Sequence, residues 1–270
     1  MKPLLRSVLA ALALSFFAGC SSTANAQTGN KYLVGDAPES ETYPNTWTVL
    51  TNTGYESAYD ETFKNPVWVA YHLSGPAHTP SPRPAIGYPT DNRTQAKLTA
   101  TDYPSGYDHG HMAPNNAIAT YFTDAAQDET FLMSNMLPQR HGLNAGPWKS
   151  VETAEVKWVP LKHDIRVICG PVYTRTDNQP ITPTKRLGPK KVCVPPYCFK
   201  IIITKDSAGK FETLAFIMPQ EKATGHKPKE FLTSIREVEE RTGLNFFASL
   251  KPAEQDAIEE ETAPDLWPVN

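Results

Sequence analysis

Two histidines flank one glycine in GYDHGHMAPN (Gly106–Asn115), and Asp108 stands just ahead of them. On a strand, positions i and i+2 share a face, so His109 and His111 could chelate zinc together. Zinc hydrolases that use this pair typically add an Asp two residues on, where this chain has Ala113 and then Pro114, and no third ligand is apparent. G-x-S-x-G, P-loop and dinucleotide fingerprints are all missing. The alternative is a lone imidazole. With an ordinary pKa of about 6.5, it can accept a proton from water near neutrality. A phosphodiester substrate also needs positive charge, which Mg²⁺ supplies while taking few protein oxygens. Downstream, SNMLPQRHGLNAGPWKSVE offers Asn135, Gln139, Asn144 and Glu152. The last two lie eight residues apart, about two helical turns, so one helix face could present both. The plainest alternative for the histidines is a solvated loop.

Several elements are expected to position these residues. NPVWVAYHLS (65–74) reads as a strand, and 83–94 as an irregular loop. A helix is expected from near Pro114 toward Ala126, a short strand over 129–139 and a helix over 143–159. DIRVICGPVYT, VCVPPYCFKIIIT and FETLAFIMP are three further strand candidates. An amphipathic helix over 227–247 should stop at Gly243. The pattern describes a single α+β domain with a central antiparallel sheet and helices packed on it. The 270 residues are 40% apolar and 20% charged, and 25 prolines favour short elements joined by many loops.

The start of the chain reads as an export signal rather than fold. Lys2 and Arg6 precede VLAALALSFFAG, an apolar run too short to span a membrane comfortably. FAGC resembles a lipobox, with Cys20 as the lipidated new N-terminus; ANA before Gln27 is the alternative cleavage site. The expected organisation is a lipoprotein-type signal over 1–20, a flexible tether over 21–45, the domain over 46–252 and an acidic tail over 253–270. Cys193 and Cys198 bracket a turn and could pair, whereas Cys169 reads as a small buried hydrophobe. Net charge is −3; the leader holds two bases and no acid and the tail six acids and no base, so the remainder passes through −5 to +1. That balance neither supports nor excludes a polyanionic partner.

Together these segments resemble the DNA/RNA non-specific endonuclease family, the endonuclease G-like ββα-metal nucleases. The family's D-R-G-H motif matches DHGH (Asp108 to His111), followed by MAP. Its N-x-x-P-Q-x-x-x-x-N-x-x-x-W-x-x-x-E stretch matches Asn135, Pro138, Gln139, Asn144, Trp148 and Glu152. NPVWVAYHL, GPVYT, VPPYCFKIII and VEERTGLNFF extend the likeness over about residues 47 to 250. The resemblance implies a ββα-metal motif on the central sheet and Mg²⁺-dependent hydrolysis of DNA and RNA, with Mn²⁺ or another divalent cation also possible. It makes His111 the general base and Asn144 the direct metal ligand, with Glu152 holding one of the cation's waters. Asn135 would shape the site and Asp108 would orient the His111 loop. Two family arginines are replaced, one by His109 and one by Val156 beside Lys157. His109 and Lys157 are therefore expected at the substrate phosphate. The losses leave a second reading open, a catalytically weakened nucleic-acid-binding surface lipoprotein.

Overall fold

The computed structural model describes residues 31–269 apart from 41, 174–182 and 184. The export signal, Cys20 and the first part of the expected tether lie outside the described residues. Among the described residues no helix is long and apolar enough to cross a membrane.

Strand β3 (Asn65–Ser74) is buried nearly end to end, because it lies inside a sheet covered on both faces. In sequence order the neighbouring elements are β1 (Thr48–Thr51), β2 (Glu56–Asp60), then β4 (Asp108–His111), α1 (Asn115–Tyr121), α2 (Asp124–Glu129) and β5 (Met136–Gln139). They continue with α3 (His141–Leu143), α4 (Lys149–Lys162), β6 (Asp164–Val172), β7 (Lys185–Leu187), β8 (Val192–Val194) and β9 (Tyr197–Lys205). The last are β10 (Phe211–Pro219), β11 (Leu232–Thr233), α5 (Ile235–Thr242) and α6 (Pro252–Glu259). The main sheet runs β1-β2-β3-β6-β9-β10-β11, antiparallel throughout. Alternate residues feed two cores. Val69, Tyr71, Val167, Cys169 and Ile202 face one side, packed under α1, α4 and the β4–β5 ribbon. Trp68, Ala70, Ile168, Ile201 and Ile203 face the other, under α5 and the N-terminal Tyr32 and Leu33. This is the expected α+β domain.

Local signals redraw several boundaries. The helix expected from Pro114 toward Ala126 is two, because Thr123 adopts extended backbone and caps α2 by accepting from the Ala126 amide. Only Met136–Gln139 of the 129–139 segment is strand; Met133–Asn135 is a tight turn. The helix expected over 143–159 begins at Lys149, after a widened turn over Asn144–Trp148 in which Gly146 leaves helical geometry. The helix expected over 227–247 shrinks to α5, which starts at the Ser234 cap and ends, as expected, at Gly243 with φ +73°. Just before it, Leu232–Thr233 pairs with β10 instead.

Both expected flanks are more integrated than tether and tail imply. Tyr32 and Leu33 are buried, and Glu39 pairs with Asn245 through two backbone hydrogen bonds. At the other end, Glu259 is buried beside Arg236 at 2.9 Å, and Trp267 packs edge-on against Trp158. The Trp158 indole donates to the Trp267 carbonyl at 3.0 Å. No Cys193–Cys198 bond forms. Cys169, Cys193 and Cys198 are free and buried, and Cys193 packs with Phe63 and Tyr173 while Cys198 sits in the core beneath α4.

One polar cluster fastens α4 to the sheet. Lys200 on β9 donates to Glu155 Oε1 at 2.6 Å and to the Tyr71 hydroxyl at 3.1 Å, while Tyr71 donates to Glu155 Oε2 at 2.7 Å. The Lys200 and Glu155 side chains are fully sealed. Removing one partner from such a pair strands a buried charge. Lys200→Met should therefore lower unfolding free energy by ~3–5 kcal/mol, and Lys200→Met with Glu155→Leu should recover most of it. Urea denaturation measures both; a single-variant loss below ~1 kcal/mol would sink this account.

Candidate active site

The β4–β5 ribbon carries the histidine segment. Asp108 pairs with Gln139 and His111 with Met136. Gly110 is required by packing: a Cβ there would stand 2.2 Å from Gln139 Oε1. Beyond the ribbon, Asn135 clamps the chain that follows His111. Its side-chain oxygen accepts from the Ala113 amide at 2.9 Å, and its Nδ2 donates to the Ala113 and Thr130 carbonyls. Asn135 therefore acts as scaffold, fully buried and without contact to solvent.

A hollow of about 280 Å³ opens beside this ribbon, lined by His111, Asn144, Glu152, Arg83, Lys149 and Asn115, among others. Three elements converge on it. β4 brings His111, the widened turn brings Asn144, and the first turn of α4 brings Glu152. Asn144 and Glu152 thus do not share a regular helix face; the turn projects Asn144 into the same space. Trp148 ties these parts together, since its indole donates to the His111 carbonyl at 3.2 Å.

Asp108 holds Asn144 rather than the His111 loop. Its Oδ2 accepts from Asn144 Nδ2 at 2.9 Å and also meets His141 Nδ1 at 2.8 Å. With its amide nitrogen engaged, Asn144 has its carbonyl oxygen left to offer. That is the donor a hard cation prefers. Glu152 Oε1 and His111 Nε2 are sealed from solvent and have no hydrogen-bond partner among the described residues. Burial pushes the Glu152 carboxyl up to about 7. The set fits a hydrated cation held by one amide oxygen beside a carboxylate. It does not fit zinc, for among the described residues no three His, Cys, Asp or Glu side chains converge.

Burial also pushes the His111 imidazole down to about 3, aided by the positive charge of Arg83. The ring stands edge-on to Phe131, with centroids 5.2 Å apart. The backbone of His109 hydrogen-bonds the ring. Nε2 has no partner, so that bond falls on Nδ1 and leaves the Nε2 lone pair unengaged in a residue that lines the hollow.

The residues expected at the substrate phosphate lie away from the hollow. His109 is stacked between Tyr88 (4.0 Å) and Tyr103 (4.9 Å), and its Nε2 meets the Ala100 carbonyl at 3.1 Å. It does not line the hollow, and burial lowers its pKa. Lys157 is exposed, about 140° around α4 from Glu152 at 3.6 residues per turn. The cations at the hollow are Arg83 and Lys149, which sequence reasoning missed. Arg83 lies over the Phe131 ring at 4.7 Å and donates to the Tyr88 hydroxyl at 3.1 Å. No local pattern in the 83–94 loop announces this.

Residues 38–253 match the DNA/RNA non-specific endonuclease family. The chain belongs to this family. Among relatives in the endonuclease family, mitochondrial nuclease EXOG of Homo sapiens is 32% identical over 212 residues, covering 73% of this chain and 56% of that protein. Mitochondrial endonuclease G of Bos taurus is 27% identical over 209 residues, covering 74% and 69%. The chain spans little more than half the length of the EXOG relatives it matches. The crystal structure of an EndoG/EndoGI complex includes a chain that aligns with a TM-score of 0.68 at 25% identity, covering 78% of this chain and 90% of that one.

The raised Glu152 sets a pH dependence. Below about 7 its carboxyl is protonated and neutral; above about 7 it is an anion facing the hollow. Affinity for Mg²⁺ should therefore rise as pH goes from 6 to 8, and Glu152→Gln should flatten that rise. Calorimetric titration with Mg²⁺ at each pH checks it, and an equal slope in both proteins would refute the assignment.

Proposed function

We propose that this chain is an exported, Mg²⁺-dependent nuclease that hydrolyses phosphodiester bonds in DNA and RNA without regard to the sugar. The observation that carries the reading is the convergence at one hollow of a neutral imidazole, an amide oxygen fixed by Asp108 and a sealed carboxylate. Family membership supports the same chemistry.

In this reading Asn144 Oδ1 would hold the cation and Glu152 would hold one of its waters. When bound, the cation stabilises negative charge on the phosphate. His111 Nε2 takes the proton from the attacking water. An imidazole held down to about 3 is a weak base before substrate arrives, partly because Arg83 faces it. A phosphate that engages Arg83 and Lys149 cancels that opposition and raises the proton affinity of His111 just when a base is needed. Arginine suits the task because its planar fork can grip two phosphate oxygens. These two cations also take up the role that His109 was expected to play, so a weakened, binding-only site is not favoured.

Cleavage of plasmid DNA and of RNA, with and without EDTA, tests the reading directly. His111→Ala should lower the rate by ~10²–10⁴-fold while the protein stays folded. Asn144→Ala should raise the Mg²⁺ concentration for half-maximal activity more than Glu152→Ala does. EDTA-resistant cleavage, or more than about a tenth of wild-type rate in His111→Ala, would refute it.

Export rests on the leader sequence alone. Mass spectrometry of the native N-terminus should find an acylated Cys20; a free N-terminus at Gln27 would indicate ordinary signal cleavage instead.

A further inference from the structure

We propose that a second cleft, beside the catalytic hollow, binds the substrate strand a few nucleotides from the cut; this rests on the nuclease reading above. The cleft has a volume of about 550 Å³ and is walled by Tyr107, Pro195, Pro196 and Tyr197, with Lys185 and Lys222 at its margin. Its position follows from the chain. Tyr107 immediately precedes Asp108, the residue that fixes Asn144, and Gln220 in the cleft lining accepts from the Arg140 amide at 2.8 Å. From Tyr107 to His111 is four residues, ~13 Å along an extended chain. That matches about four base steps at 3.4 Å each.

The chemistry of the cleft suits a nucleic-acid strand better than a neutral ligand. Flat aromatic and proline surfaces offer walls for sugars and bases, and cations at the margin can meet phosphates. The acidic residue of the lining, Glu221, is already held by Arg140 at 3.0 Å. That leaves the exposed Lys185 and Lys222 as net positive charge. Lys185 is steadied over the Tyr107 ring at 5.1 Å, and Arg140 lies over the same ring at 4.6 Å. Tyr107 thus holds two cations in place and faces the cleft itself. Lys149 and Arg83 line the hollow, so hollow and cleft both carry positive groups for a phosphate backbone.

The test uses the full protein in EDTA, so that strands bind without being cut. Binding of a fluorescent DNA single strand is followed by anisotropy across a salt series. Each lysine–phosphate contact contributes about 0.7 to the slope of log affinity against log salt for single strands. Lys185→Gln with Lys222→Gln should flatten the slope by about 1.4, with unchanged melting temperature. Tyr107→Ala should weaken the normal strand by about tenfold, and a strand with abasic sites by less. With Mg²⁺ restored, a dinucleotide too short to reach the cleft should be cut equally by wild type and the double lysine variant, and a long strand more slowly by the variant. If wild type cuts both substrates but the lysine variant keeps the wild-type salt slope, the cleft assignment fails and the nuclease reading stands. If wild type neither binds nor cuts any strand, both fail.

Discussion

The ammonium of Lys200 sits where the sheet, the active-site helix and the histidine strand meet. It lies inside the sheet's covered face, bonded to Glu155 of α4 and Tyr71 of β3, and 4.6 Å from the centre of the Trp148 ring. Burial alone would lower its pKa, but Glu155, together with Cys169 and Glu152, outweighs this and holds it above the ordinary lysine value. A hydrophobic patch could pack here at many rotations of the helix. A charged pair with three matched hydrogen bonds permits few, and buried pairs of this type are better suited to fixing register than to adding stability. Glu152 lies three residues before Glu155, so the rotation that satisfies the cluster also sets the direction of Glu152. Trp148, under the same ammonium, carries the constraint on to the carbonyl of His111.

The hollow places opposite demands on neighbouring groups, and burial meets both. In the proposed reading the base must be neutral at rest, and desolvation keeps the His111 imidazole uncharged. A carboxylate near a cation must be poised to ionise, and desolvation raises Glu152 toward neutrality. The same dry surroundings strengthen the fields of Arg83 and Lys149. Asp108 is spent on holding an amide in one orientation, which decides whether nitrogen or oxygen faces the hollow.

Much of this was legible because the chemistry is local in sequence. β3 announces itself through its β-branched and aromatic residues, and α5 through the glycine that ends it. His111, Asn144 and Glu152 fall in two short segments whose spacing is dictated by one ribbon and one helix start. What escaped depends on distant contacts. Arg83 is placed by Phe131 and Tyr88, and only the folded chain brings those rings to it. His109 occupies the family arginine's place in the sequence, but the two tyrosines that stack on it come from separate loops that only the folded chain brings together. Cys193 and Cys198 are close in sequence, but their strands belong to different sheets and their thiols to different cores. The acidic tail is named for its charges, yet Glu259 against Arg236 and Trp267 against Trp158 hold it to the domain.

The N-terminal Tyr32 and Leu33 are packed on the face of the sheet opposite the hollow, where the Tyr32 hydroxyl donates to the Asn52 and Thr53 carbonyls. Anything joined upstream is thereby attached at the molecule's back. A protein held by that end to a surface would turn the hollow toward the surrounding fluid, and under the proposed reading long polymers drifting past would meet it without having to squeeze between protein and support.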